Sequence, residues 1–233
     1  MISPQNILTL RSREAKVTIP ERLELEFMLD QRRLMRNLQW FTVANLGKFT
    51  SDRQDSPGLQ QFLQMSAPEI LDEKKLRRRL RHLANTLSTQ KLAELRGLLG
   101  SRVSAPSPGL IDEWVNSQVK AIQASVDTWL VTSTSKIAAS TAAGVPVSAM
   151  VADLVTVSAS LSARAEVRAS FAILQLNAQM IEEASRGAGS SHYRWITELD
   201  SRVRDNHRED AGGYSRHGKI YAWASPPMGG GTR

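Results

Sequence analysis

Residues 110–130, "LIDEWVNSQVKAIQASVDTWL", decide the fold. Ile111, Trp114, Val115, Val119, Ile122, Val126, Trp129 and Leu130 recur every three or four positions. Over about five turns that spacing gathers them on one face of an α-helix. The positions between them are filled mainly by Ser, Gln, Asn and Thr. An outer face that is polar but sparsely charged fits a helix enclosed within an assembly.

On the C-terminal side, "TAAGVPV" (141–147) interrupts the pattern at Gly144 and Pro146. Helix is expected to resume at Ser148 with Val151, Leu154 and Val155, and to run on from Leu161 to about Arg186. Ala163, Val167, Leu174 and Ile181 are the expected core positions there. The segment is rich in Ala and Ser. Small side chains let helices approach closely, so 110–190 reads as a tight antiparallel bundle or a subunit interface. "RGAG" (186–189) supplies the glycines that end a helix in a left-handed residue.

On the N-terminal side, "SRVSAPSPG" (101–109) reads as a linker and a domain boundary. Before it lies a basic helical region, 21–100, preceded by an irregular arm, 1–20. From Glu21 the residues Leu23, Phe27, Leu34 and Leu38 share a helical face, with Arg22, Arg32, Arg33 and Arg36 among the remaining positions. Trp40, Phe41 and Val43 are expected to extend the apolar surface. "TSDRQDSPG" (50–58) is a loop by composition. A second helix is expected over 66–100, opened by a capping box of Ser66 and Glu69 with Pro68 in the first turn. Leu76, Leu80, Leu83 and Leu87 form its stripe. Lys74, Lys75, Arg77, Arg78, Arg79 and Arg81 occupy its other faces. They read either as a solvated basic face or as a contact surface for DNA or an acidic partner, whose binding would depend steeply on salt.

The bulk numbers agree with a basic, helical chain. Of 233 residues, 41% are apolar and the formal net charge is +7, which favours acidic partners. The excess is concentrated in residues 1–100, with 17 Lys and Arg against 11 Asp and Glu. Cysteine is absent, which excludes disulfides and thiolate metal sites. The N-terminus has no long apolar core of the secretory kind. No stretch is expected to reach the roughly 18 apolar residues of a spanning helix, so no membrane association is expected.

The last segment, 191–233, changes character and reads as a small α+β unit. "HYRWIT" and "GKIYAWA" (218–224) have the aromatic and β-branched content of strands. Between them, "HYRWITELDSRVRDNHREDAGG" (192–213) concentrates histidine, carboxylate and arginine. Asp200 and His207 would share a helical face, and His217 could return across a turn. A divalent-metal nuclease built on these three is one reading. No ligand spacing such as HExxH is present, and Arg202, Arg204 and Arg208 compete for the carboxylates. The favoured reading is structural. Asp200 caps a turn, His207 bonds backbone, and Trp195 and Trp223 supply the apolar mass. It assigns no catalytic residue, metal or cofactor.

The order Trp195-x4-Asp200-x-Arg202-Val203-Arg204-x2-His207, followed by Gly212 and Gly213, resembles the C-terminal signature of the Mu F-like minor head proteins of tailed bacteriophages. Upstream, "SARAEVRAS" (162–170), with Arg164, Glu166 and Arg168, looks like the helix that precedes that signature. Ser170 and Phe171 stand where the family carries Thr and Glu. The resemblance covers about residues 140–233. It implies a non-enzymatic virion component in the capsid interior near the portal vertex, made in the host cytoplasm. Its implied partners are the portal protein, the major capsid protein or both, with packaged double-stranded DNA in reach and several copies per assembly. Head assembly, DNA packaging and DNA ejection are the processes it implies. The alternatives are a metal-dependent nuclease and a simple DNA-binding module.

Overall fold

The structure is a computed structural model, and it describes residues 20–50, 58, 61, 62, 65, 71–99, 103–189, 192–194 and 220–222. Four long helices dominate: α1 (Glu21–Thr50), α2 (Glu73–Leu99), α3 (Pro108–Ala142) and α4 (Val147–Gly187). The fold is mainly α, as the periodicity predicts.

Each helix begins where local chemistry permits. α1 follows Pro20, whose carbonyl accepts the Glu24 N–H at 3.0 Å, and Glu21 and Glu24 place carboxylates at the positive end of its dipole. α2 opens at Glu73, with the Asp72 carboxylate accepting the Lys75 N–H at 2.9 Å. It therefore starts later than the 66–100 expected, and the capping box of Ser66, Pro68 and Glu69 lies outside the described residues. Ser107 caps α3 by accepting the Leu110 N–H, with Pro108 in the first turn. α3 ends before Gly144, whose φ of +69° suits a residue without a Cβ. α4 ends before Gly189, at φ +87°. Of the loop expected over 50–58, Thr50 belongs to α1 and Gly58 has helical backbone, while 51–57 are outside the described residues.

The helices run up-down-up-down. Arg79 of α2 meets Glu26 and Asp30 of α1, and residues 20–23 lie beside 90–94, so these two helices are antiparallel. Arg81 with Asp112, Arg77 with Asn116 and Gln123 with Glu73 set α2 antiparallel to α3. Trp114 Nε1 donates to the Ala172 carbonyl at 3.0 Å and Arg168 donates to Ser125 Oγ, which reverses α4 against α3. Contacts of Glu24 with Ser170 and of Arg32 with Glu166 close the ring between α1 and α4.

The core has two main parts. One is shared by all four helices: Leu23 and Phe27, Leu80, Leu83 and Leu87, Trp114 through Ile122, and Ala169 through Met180. The other belongs to α1, α3 and α4, with Met35, Leu38 and Leu46, Trp129 and Ile137, and Met150, Leu154 and Val157. Segments on both sides of 101–109 thus build one core, and that stretch divides no hydrophobic unit. It is tied down instead. Val103 is buried, its carbonyl accepts from Arg96, and the Ser107 N–H donates to Glu183.

Two expectations about the core are corrected. In α4, Val167 is 55% exposed and Ala163 is also exposed, while Leu174 and Ile181 are half-buried; Ala165, Ala169, Ala172, Ile173, Leu176 and Met180 line the core instead. In α1, Trp40 is 71% exposed and extends no buried surface. A third correction concerns apolar length. α4 is long and apolar enough, by length and composition, to cross a membrane, because its Ala, Ser and Thr scarcely oppose its Val, Leu and Met. Such helices also occur as core helices of water-exposed bundles, and α4 packs along α1 and α3.

After α4, strands β1 (His192–Arg194) and β2 (Ile220–Ala222) pair antiparallel, with Tyr193 opposite Tyr221. They fall in the two segments read as strand-like. The remainder of the α+β unit expected over 191–233 lies outside the described residues.

Candidate functional site

The basic run of α2 is divided by which side chains meet a carboxylate. Leu80, Leu83 and Leu87 face the core, so residues flanking that stripe reach sideways to neighbouring helices and those opposite it face solvent. Arg79 is flanking. Its Nε donates to Asp30 Oδ2 at 2.7 Å and its terminal nitrogen to Glu26 Oε1. Partial burial works against its charge, but the hydrogen bonds it donates to the two carboxylates, with their charge, outweigh that and raise its pKa above the usual value. Arg81 reaches Asp112 of α3 at 2.6 Å, and Arg77 bridges Glu73 and Asn116. These three side chains fasten α2 to α1 and α3.

Lys74 and Arg78 lie opposite the leucines, and Lys75 lies to one side of them. All three are exposed, and none has an ion pair among the described residues. Their next helical neighbour, His82, is exposed as well. Of the six basic residues read as a contact surface, these three are exposed with no ion pair among the described residues, while Arg77, Arg79 and Arg81 are engaged by carboxylates, Arg81 staying exposed as it is. The partition is invisible in the sequence, because the carboxylates that claim Arg79 lie about fifty residues earlier, on another helix.

On α4, Glu166 takes a bidentate pair from Arg32 of α1, at 2.9 and 2.7 Å, and a third bond from Ser162 at 3.0 Å. The Arg32 hydrogen bonds hold its carboxyl below the usual carboxylate range, against a smaller opposing effect of burial. Arg168 spans to Ser125 of α3 at 2.7 Å. Arg164 is exposed and lends its carbonyl to Arg168 Nε at 3.4 Å. Glu166 and Arg168 therefore brace α4 between its neighbours. Trp195, Asp200, Arg202, Arg204, His207, Gly212 and His217 lie outside the described residues.

Sequence reasoning missed a surface on α1. Arg22, Leu25, Leu29, Arg33, Arg36 and Trp40 follow one another by three or four residues and are all exposed. The signal was present as a second helical stripe opposite Leu23, Phe27 and Leu38.

A cleft of about 460 Å³ opens between the start of α1 and the end of α2, lined by Pro20–Leu23, Gln90, Lys91 and Glu94. Lys91 is only 3% exposed and pairs with Glu94 at 2.7 Å, so the charge at its wall is already answered from within. Among the described residues, no three His, Asp or Glu side chains gather as a metal would require.

The described residues thus define the chain as a four-helix bundle with a divided basic helix and an arginine-lined outer face. No protein-family model, curated protein or solved structure matches it.

Proposed function

We propose that this chain is a minor head protein of a tailed bacteriophage, a structural component without turnover, associated with the portal and capsid interior and touching packaged DNA. The observation that carries the proposal is the ordered string Trp195, Asp200, Arg202, Arg204 and His207 closed by Gly212, with Arg164, Glu166 and Arg168 upstream. Two features support it. The long helices, braced by side chains at their seams, suit a protein built into an assembly. Lys74, Lys75 and Arg78 offer exposed positive charge without an ion-pair partner among the described residues, which suits contact with phosphates.

The assembly part is tested by co-expressing the chain with its portal protein and sedimenting the assemblies. Co-migration in fixed proportion is expected, and a monomer indifferent to both portal and capsid protein contradicts it. The DNA part is tested by titrating duplex binding against salt. Changing Lys74, Lys75 and Arg78 together to Ala removes about three phosphate contacts and flattens the log–log slope by nearly three units. An unchanged slope assigns these cations to another role.

A further inference from the structure

We infer that the outer line of α1 is a docking surface for an acidic, amphipathic helix of a partner protein. This inference is independent of the proposed phage function and concerns a surface that function does not use.

Three observations carry it. Arg22, Leu25, Leu29, Arg33, Arg36 and Trp40 form one continuous exposed line spanning about 27 Å of helix. Leu25 is 56% and Trp40 71% exposed, so the line has real apolar surface. Its charge has one sign. Of the four carboxylates on α1, Glu24 bonds Ser170, Glu26 and Asp30 are held by Arg79, and Glu21 lies in the first turn. Arg22, Arg33 and Arg36 have no ion pair among the described residues, whereas the adjacent Arg32 is engaged by Glu166.

The arrangement selects among occupants. Duplex DNA would use the arginines but leave two leucines and a tryptophan unsatisfied. A bilayer would accept Leu25, Leu29 and Trp40 only by drawing Arg33 and Arg36, which sit between them on the same line, toward the acyl region. A second copy of the same line would gather six arginines with no carboxylate on either line to answer them. A helix carrying Asp or Glu at the matching levels, with apolar residues between, satisfies both kinds of side chain. Arg and Trp are also the residues that most often anchor protein interfaces.

The chain's lack of cysteine makes a clean test available. Asn37→Cys, exposed beside the line, carries an environment-sensitive dye on the full chain. The probe is a designed helical peptide of about 21 residues with Glu and Leu on one face. Saturable binding is expected, weakened at least about tenfold by Arg33→Glu with Arg36→Glu, and by Leu29→Ser. Binding to the charge-reversed chain is expected to return when the peptide's glutamates become lysines. Arg33 and Arg36 are exposed, so the melting curve of the charge-reversed chain should match the parent's. Absence of binding, equal binding to parent and reversed chain, or failure of the swapped peptide to recover it overturns the inference. So does each rival: phosphatidylglycerol vesicles or a 20-base-pair duplex bound in preference through the same residues, or sedimenting self-association abolished by the reversal.

Discussion

The two ends of the bundle are built by different chemistry. At the end where α1 begins, four helices meet, and the seams of α2 are laced by charge: Arg79 with Glu26 and Asp30, Arg81 with Asp112. At the other end α2 contributes nothing to the buried core, and three helices close over Trp129, Met35 and Leu154. Hydroxyls replace ions there. Trp129 Nε1 donates to Thr42 Oγ1 at 3.3 Å, while Thr42 and Thr134 return their own protons to carbonyls of the preceding turn. The difference teaches where specificity resides. Ion pairs help fix which helix lies beside which at one end, and packing shape with one buried hydrogen bond does so at the other.

The largest effects should come from the uncharged end. Trp129 is fully buried, and Trp129→Ala removes its packing and leaves Thr42 without its donor, at about 3–5 kcal/mol in urea unfolding. Leu83→Ala at the charged end should cost about 2–5 kcal/mol. If the Trp129 change proves mild, the three-helix end is not the close-packed core described.

Next is acid. Glu166 has a lowered pKa in the folded chain, so its contribution is fully present above the ordinary carboxyl value and is lost as pH falls through the lowered one. Glu166→Gln should therefore destabilise at neutral pH and flatten the acid limb of the stability curve, with little difference from the parent once the parent's Glu166 is protonated. The expected cost is below about 1 kcal/mol, because Arg32 is half exposed and solvent screens the pair. A parallel loss at every pH would refute the assignment.

How much of this the sequence disclosed depends on contrast between side chains. α3 was readable because Trp114, Val119 and Trp129 stand out against Asn, Ser and Gln, and its buried residues match the expected stripe closely. α4 was readable as a helix but not in phase. Ala165, Ala169 and Ala172 face the core while Val167 and Phe171 face out, so counting apolar weight points the wrong way. Close helix approach explains this, since alanine fits where two backbones converge and a larger residue does not. The candidate site was half readable. Composition located the basic run on α2, but which arginines remain available depends on carboxylates contributed by α1 and α3.

Two glycines should give effects of similarly small size and opposite sign. Gly97 lies inside α2 with open space where a Cβ would stand, so Gly97→Ala should stabilise by about 0.5–1 kcal/mol. Gly144 has equal space but a left-handed backbone, so Gly144→Ala should cost about 1 kcal/mol. Opposite signs in thermal unfolding separate room from conformation.

The division of the α2 basic run is tested most directly by comparing the unfolding free energies of two triple variants. Arg77, Arg79 and Arg81 changed together to Ala should lower stability by about 1–3 kcal/mol, because each engages a neighbouring helix and Glu26 and Asp30 are left facing one another. Lys74, Lys75 and Arg78 changed to Ala should stay within about 0.5 kcal/mol of the parent. Equal losses in the two triples, or a larger loss in the outward one, would contradict the account.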